Sequence, residues 1–374
     1  DGDGGMFGWL LAAAATAAIG AACDLEAPHG GEGCRRADID ALRVNQIQAV
    51  GTHNSYKQAI APAEMALLAA AAPDMAASLD YAHLSLTEQL NGGARQLEID
   101  VFYDPEGGRY AQPLGRRLTP QGPDYDAAPM AEPGLKVLHV QDIDYRSHCP
   151  RFIDCLAEIE RWSAAHPDHL PLLILLNLKE GDALPAPGAV RPLAFDAAAM
   201  DAVDAEIGSV FPAGRRITPD RVQGAHPTLR EAVAQGGWPR LAEARGRVIF
   251  ALDAPRHQVD LYRGARANLE GRAAFVNIEE DEPAAGYITL NDPIAQAERI
   301  AAAVRAGLLV RTRADADTVE ARTGETARRE AAFASGAHYV STDYMTPDPR
   351  FSDFQVVLPG GAAGRRNPLA AEVP

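Results

Sequence analysis

Leu172-Leu173-Ile174-Leu175-Leu176-Asn177-Leu178-Lys179 is apolar at every position until its last few residues. A strand with one face in water alternates apolar and polar residues. A strand that is apolar throughout is covered on both faces, as parallel strands are when helices flank their sheet. Similar runs recur upstream at 47–51, 96–102 and 137–141, and downstream at 248–252, 274–278, 308–312 and 339–342. Ala-rich stretches with helical spacing separate them, among them 62–90, 151–166, 197–207, 292–306 and 325–335. Eight strands alternating with helices predict the α/β class and a single (β/α)8 TIM-type barrel. A miscount by one strand would make it a doubly wound sheet instead.

Polar residues accumulate where these runs end: His53, Asn54, Glu98, Asp100, His139, Asn177, Lys179, Asp253, Asn277, Arg311, Arg313, Ser341 and Asp343. The C-terminal ends of barrel strands are where such a fold builds its site. Glu98 and Asp100 flank one apolar residue in Gln96-Leu97-Glu98-Ile99-Asp100-Val101-Phe102, so the period of two puts both carboxylates on one face. Two close anions need a cation or a shared proton. Oxygen ligation that includes the Asn54 carbonyl suits a hard ion such as Ca2+ or Mg2+. His53 and His139 are two histidines that can divide the proton work of phosphodiester cleavage. Asp142 and Asp144 stand beside His139, either to orient it or to join the acidic cluster. Asn177 and Lys179 share a face, and Lys179 is placed to hold a phosphate oxygen as a point charge. Arg311 and Arg313 are candidates for the same task, with one of them expected to pair with Asp315 or Asp317.

The chain has 374 residues, 35 basic and 51 acidic, for a formal net charge of −16. That length supports a large core, and the acidic balance argues against binding nucleic acid, which needs a basic face. No stable protein partner is implied. Residues 6–22 form an apolar run ending in small residues, which reads as the core of a signal peptide spanning 1–22. A loop-rich lead-in at 23–45, the barrel at 46–358 and a flexible tail at 359–374 complete the division. The cysteines form two close pairs, Cys23/Cys34 and Cys149/Cys155, with no CxxC spacing. Local disulfides suit a secreted or periplasmic protein. Lipidation of Cys23, with anchoring to a membrane, is the alternative fate of the first pair.

Three groups of residues resemble the catalytic half of the phosphoinositide-specific phospholipase C superfamily, and most of all its secreted, calcium-dependent branch. They are Gly51-Thr52-His53-Asn54-Ser55-Tyr56, Gln96-Leu97-Glu98-Ile99-Asp100 and Val137-Leu138-His139. Val310-Arg311-Thr312-Arg313-Ala314-Asp315 and the stretch from Ser335 to Tyr344 are similar to that branch as well. The resemblance implies a distorted TIM barrel, calcium, catalytic roles for His53 and His139, and calcium ligation by Asn54, Glu98 and Asp100. The superfamily's further acidic ligand on the fourth strand is replaced here by Asn177, with Glu180 as the other candidate. The implied reaction is cleavage of phosphatidylinositol, a phospholipid met at a membrane surface, to diacylglycerol and a cyclic inositol phosphate. No tight basic cluster calls for extra phosphates, so the plain inositol headgroup is favoured. Two rivals remain. A glycerophosphodiester phosphodiesterase uses the same barrel, but its second histidine follows closely on the first, unlike His139. A catalytically inactive lipid- or sugar-binding barrel is the other.

Overall fold

Runs apolar on both faces become parallel strands because only a sheet between two layers can bury them. The computed structural model describes residues 23–374; the signal segment expected at 1–22 lies outside the described residues. The strands are β1 (Ile47–Thr52), β2 (Gln96–Phe102), β3 (Lys136–Val137), β4 (Leu172–Lys179), β5 (Val248–Leu252), β6 (Ala274–Val276), β7 (Tyr287–Thr289), β8 (Leu309–Arg313), β9 (Tyr339–Thr342) and β10 (Arg365–Arg366). Eight of them run parallel in the order β6-β5-β4-β2-β1-β9-β8-β7. The bridge between Asn277 and Tyr287 links the two ends of that order, so the sheet is a nearly closed barrel. Helices cover it outside. Phe152–Ala165 shows how: Phe152, Cys155, Leu156, Ile159 and Trp162 recur at helical spacing and are all buried.

The eight expected strands and the eight observed ones are not the same set. The run at 137–141 does not enter the barrel. Only β3 forms there, antiparallel to the end of β2 through Val101↔Val137 and Phe102↔Lys136. Its apolar residues divide: Val137 joins the main core, and Leu138 packs with Phe102, Tyr110, Met130 and Tyr145 in a small cluster of its own. The eighth barrel strand is β7, three residues long and too short to display a period.

The segment from Pro359, expected as a flexible tail, is tied to the bottom of the barrel. There β10 pairs antiparallel with β1, Gln48 opposite Arg365, and Asn367 is buried and donates to the Gly336 carbonyl at 2.6 Å. Two disulfides form, Cys23–Cys34 and Cys149–Cys155. With its sulfur bonded to Cys34, Cys23 has no thiol left to acylate. Among the described residues no helix is long and apolar enough to cross a membrane.

Candidate active site

At the end of β1 the chain must leave the barrel sharply. Gly51 permits a close approach, since a Cβ there would lie 2.4 Å from both the Cβ and the carbonyl oxygen of Gln96. Asn54 then takes a left-handed conformation, φ 49°, which Asn tolerates better than most residues. Ser55 staples the turn to β2: its N–H donates to the Glu98 carbonyl at 2.9 Å, and its Oγ accepts from the Glu98 N–H at 2.8 Å. His53 and Asn54 are thereby fixed beside the β2 carboxylates.

Each of the two expected histidines is held by a buried carboxylate. His53 Nδ1 lies 3.0 Å from Asp343 Oδ1, and His139 Nδ1 lies 2.7 Å from Asp144 Oδ2. In both pairs the carboxylate holds a proton on Nδ1 and leaves Nε2 as the nitrogen that can exchange a proton. His53 Nε2 has Arg313 Nη1 at 3.5 Å and Glu98 Oε1 at 3.8 Å. Burial, with Arg313 adding to it, pushes His53 down to about 3, so its ring is neutral. Burial would raise Asp343, but His53 and Arg313 hold it well below the usual carboxylate range. Asp315 behind it is pushed up to about 7 by burial and by the charge of Asp343.

The expected metal and phosphate residues meet between the histidines. Glu98 accepts from Asn177 Nδ2 at 2.6 Å and from Arg311. Burial raises it to about 7 against the pull of that arginine. Asp100 stands opposite Asn177 in the β2–β4 register and 3.0 Å from Lys179 Nζ. Burial pushes Asp100 up, but the Lys179 ammonium beside it outweighs this and holds it below its ordinary value. Arg311 is buried and also holds Asn291 and Ser341. The arginines thus pair with Glu98 and Asp343, not with Asp315 or Asp317 as expected. Glu180 is engaged away from this cluster, with His257 Nε2 at 2.5 Å and the Phe195 N–H at 2.8 Å. Asp142 holds two loops together through the N–H groups of Leu114 and Val190.

Calcium fits the donor chemistry. Asp100 Oδ1 is buried with no hydrogen-bond partner, and Oδ2 is met by the Lys179 ammonium at 3.0 Å. Asn54 donates its amide N–H to Tyr81 at 2.8 Å and Asn177 donates its own to Glu98, so each turns a carbonyl oxygen loose. Two carboxylates and two amide carbonyls form a hard-oxygen set. Among the described residues no three His, Cys, Asp or Glu side chains gather around a metal-sized space, so the amides have to complete any such set.

Several residues of the site escaped the sequence reading. Tyr81 stacks on His53 with ring centroids 6.2 Å apart. His83 Nε2 donates to the His53 carbonyl at 2.7 Å. Lys57 lies buried behind both histidines. None follows an apolar run, and only the sequence HNSYK places Lys57 near the motif. Asp343 stood among the strand-end polar residues without its role as the partner of His53.

Fold and site define a class, a barrel enzyme with a two-histidine, two-carboxylate centre at its mouth. The family model described as "Phosphoinositide phospholipase C, Ca2+-dependent" matches residues 42–368. The chain belongs to that enzyme family, whose members are phosphodiesterases of the phospholipase C type. Among solved structures, the calcium-dependent phosphoinositol-specific phospholipase C of a Pseudomonas species is similar at 16% identity and TM-score 0.51, over 87% of this chain and 95% of that one. Its myoinositol complex matches at 15% identity and TM-score 0.51, over 87% and 96%. The Ca2+-dependent phosphatidylinositol-specific phospholipase C of Streptomyces antibioticus matches at 19% identity and TM-score 0.51, over 81% and 95%. At these identities the likeness is one of fold. A search of curated proteins finds no match.

Proposed function

We propose that this protein is an exported, calcium-dependent phospholipase C that cleaves phosphatidylinositol to diacylglycerol and a cyclic inositol phosphate. The observation that carries the reading is the pair of histidines, each with Nδ1 committed to a buried carboxylate and Nε2 left free, on either side of Asp100. The inositol 2-hydroxyl attacks phosphorus and gives its proton to one Nε2. The bond from phosphorus to the glycerol oxygen breaks, and that oxygen takes the Nε2 proton of the other histidine, which enters the step as the imidazolium with its Nδ1–H on the carboxylate. Arg313, beside His53 Nε2, favours the unprotonated ring there. His53 is therefore the base and His139 the acid. Arg313 and Lys179 face the phosphoryl oxygens, and Arg311 fixes Glu98.

Asn54, Glu98, Asp100 and Asn177 would hold calcium, with Lys179 yielding its hold on Asp100. A bound calcium ion supplies Lewis-acid polarisation and a template for the hydroxyl and phosphate. The Pseudomonas relative with bound myoinositol supports an inositol headgroup. Two disulfides suit an oxidising compartment outside the cytoplasm.

A membrane surface as the place of work is supported by the helix Pro62–Ala71 beside the mouth. Glu64 is its only buried residue; it accepts from Tyr145 at 2.7 Å and Arg146 at 3.1 Å. The helix is otherwise built of Pro, Ala, Met and Leu, and Leu67 is 49% exposed. A helix in water shows the opposite arrangement. Met75 on the next helix is 45% exposed, and Leu118 on a helix packed against Pro62–Ala71 is 61% exposed.

Phosphorus NMR of phosphatidylinositol hydrolysis tests the reading. A cyclic phosphate should appear with calcium and not with chelator. Equal rates in both, or turnover of glycerophosphocholine in place of the inositol lipid, would overturn it.

A further inference from the structure

Lys57 is charged, fully buried and absent from the chemistry above. Its ammonium donates to the carbonyls of Tyr81 at 2.7 Å and Leu79 at 3.0 Å, and lies 3.4 Å from Asp144 Oδ1. That oxygen is buried and accepts no hydrogen bond. Asp144 is the carboxylate that holds His139. The ammonium also sits 4.6 Å from the centroid of the Tyr81 ring, the ring that stacks on His53. A buried cation costs several kcal/mol of desolvation unless it is paired, so its place between the two histidine supports is informative.

We propose that Lys57 is a positioning residue shared by both histidines: its charge keeps Asp144 ionised, and its donation to the Tyr81 carbonyl seats the ring behind His53. The inference rests on reading His139 as a working histidine. The other groups that act on Asp144 do not replace Lys57. Tyr56 and Tyr81 are neutral phenols held above their ordinary values, chiefly by burial. Lys179 is engaged by Asp100, and His139 is the group being positioned. Without the Lys57 charge, the buried Asp144 Oδ1 loses the ammonium 3.4 Å away, and the neutral acid form of Asp144 is favoured. A protonated Asp144 can donate to His139 Nδ1, which holds the ring as the neutral Nε2–H tautomer, a far weaker acid than the imidazolium that gives its proton to the leaving oxygen.

Lys57→Gln removes the charge and retains a donor for the carbonyls; Lys57→Arg retains the charge. In nitrogen-15 NMR of the histidine rings, wild type should show His139 protonated at Nδ1, Lys57→Gln should shift that signal towards Nε2–H, and Lys57→Arg should restore it. On phosphatidylinositol, kcat should fall about ten- to a hundredfold in Lys57→Gln with KM nearly unchanged. In an Asp144→Asn background the same change should add less than about twofold. An unmoved His139 signal in folded Lys57→Gln, or losses that multiply in the double variant, would overturn the proposal. The ring spectra need no substrate, so they test it even if the reaction is another one. If Lys57→Gln does not fold, the Lys57 ammonium resonance is followed in Asp144→Asn; a resonance that stays in place is equally fatal.

Discussion

His53 is a largely buried imidazole and His338 a fully buried one, at opposite ends of the same barrel. His338, just before β9, has both nitrogens occupied: Val310 N–H donates to Nδ1 at 3.0 Å, and Nε2 donates to the Asn45 carbonyl at 2.9 Å. Gln48, also at the bottom, is occupied in the same way: it donates to the Ala337 carbonyl at 2.7 Å and accepts from Arg365 at 2.6 Å. His53 has one nitrogen committed and the other aimed at Arg313 and Glu98, in a centre where Asp100 Oδ1 has no hydrogen-bond partner. Burial alone therefore does not mark a working group. A polar atom buried without a partner costs free energy; Asp100 Oδ1 at the mouth and Asn45 Oδ1 at the bottom both bear that cost, while His338, Gln48 and Asn367 are paired with the backbone.

The comparison can be broken most directly at His53. His53→Ala or His139→Ala should lower kcat/KM about 10²- to 10⁴-fold while the thermal midpoint stays within a few degrees of wild type. Unchanged hydrolysis in His53→Ala would refute the catalytic assignment. His338→Ala should do the reverse. It strands the Val310 N–H and the Asn45 carbonyl, at about 1–3 kcal/mol for each unmet group, read in urea unfolding. Its kcat per folded molecule should match wild type, and a loss as large as that of His53→Ala would erase the distinction between the two ends.

A smaller effect sharpens the account of the rim. Leu67→Ser with Met75→Ser should weaken binding to phosphatidylinositol vesicles about tenfold, since burying each side chain is worth about 1.5–3 kcal/mol at most. Hydrolysis of a short-chain monomeric substrate should be unaltered; an equal loss on both substrates would place the helix inside the catalytic machinery instead.

The smallest effect is a pH slope. Burial lowers His338 and His169 to about 4 each, below the unfolded value of about 6.5. The unfolded state then binds more protons between those values. Stability is full above pH 6.5 and falls as the pH drops towards 4, by up to about 1.4 kcal/mol per pH unit for each histidine. In His338→Asn that slope should be reduced by the share of one histidine; an unchanged slope would show that His338 is not the buried neutral group described.

Much of this was legible in the chain because it depends on residues close in sequence. The apolar period in 172–179 required a covered parallel strand, and Glu98-Ile99-Asp100 put two carboxylates on one face whatever the partners. The resemblance carried by His53-Asn54, Glu98-Asp100 and His139 led to the family that the match over residues 42–368 establishes. What the sequence misplaced were short or antiparallel pieces: β7 has too few residues to show a period, and the run at 137–141 divides its apolar residues between the main core and a side cluster.

Only the tertiary structure decided who partners whom. The pairs Arg311 with Glu98, Arg313 with Asp343 and Lys57 with Asp144 join residues far apart in the chain or on different loops. Electrostatic pairing depends on distance and burial in space, and neither is written in the local pattern. Asn177 and Glu180 show the division well. By sequence both were candidates for the fourth-strand ligand. The register of β4 against β2 brings Asn177 to Glu98 and Asp100, and the chain turns after Lys179, so Glu180 meets His257 and the Phe195 amide instead.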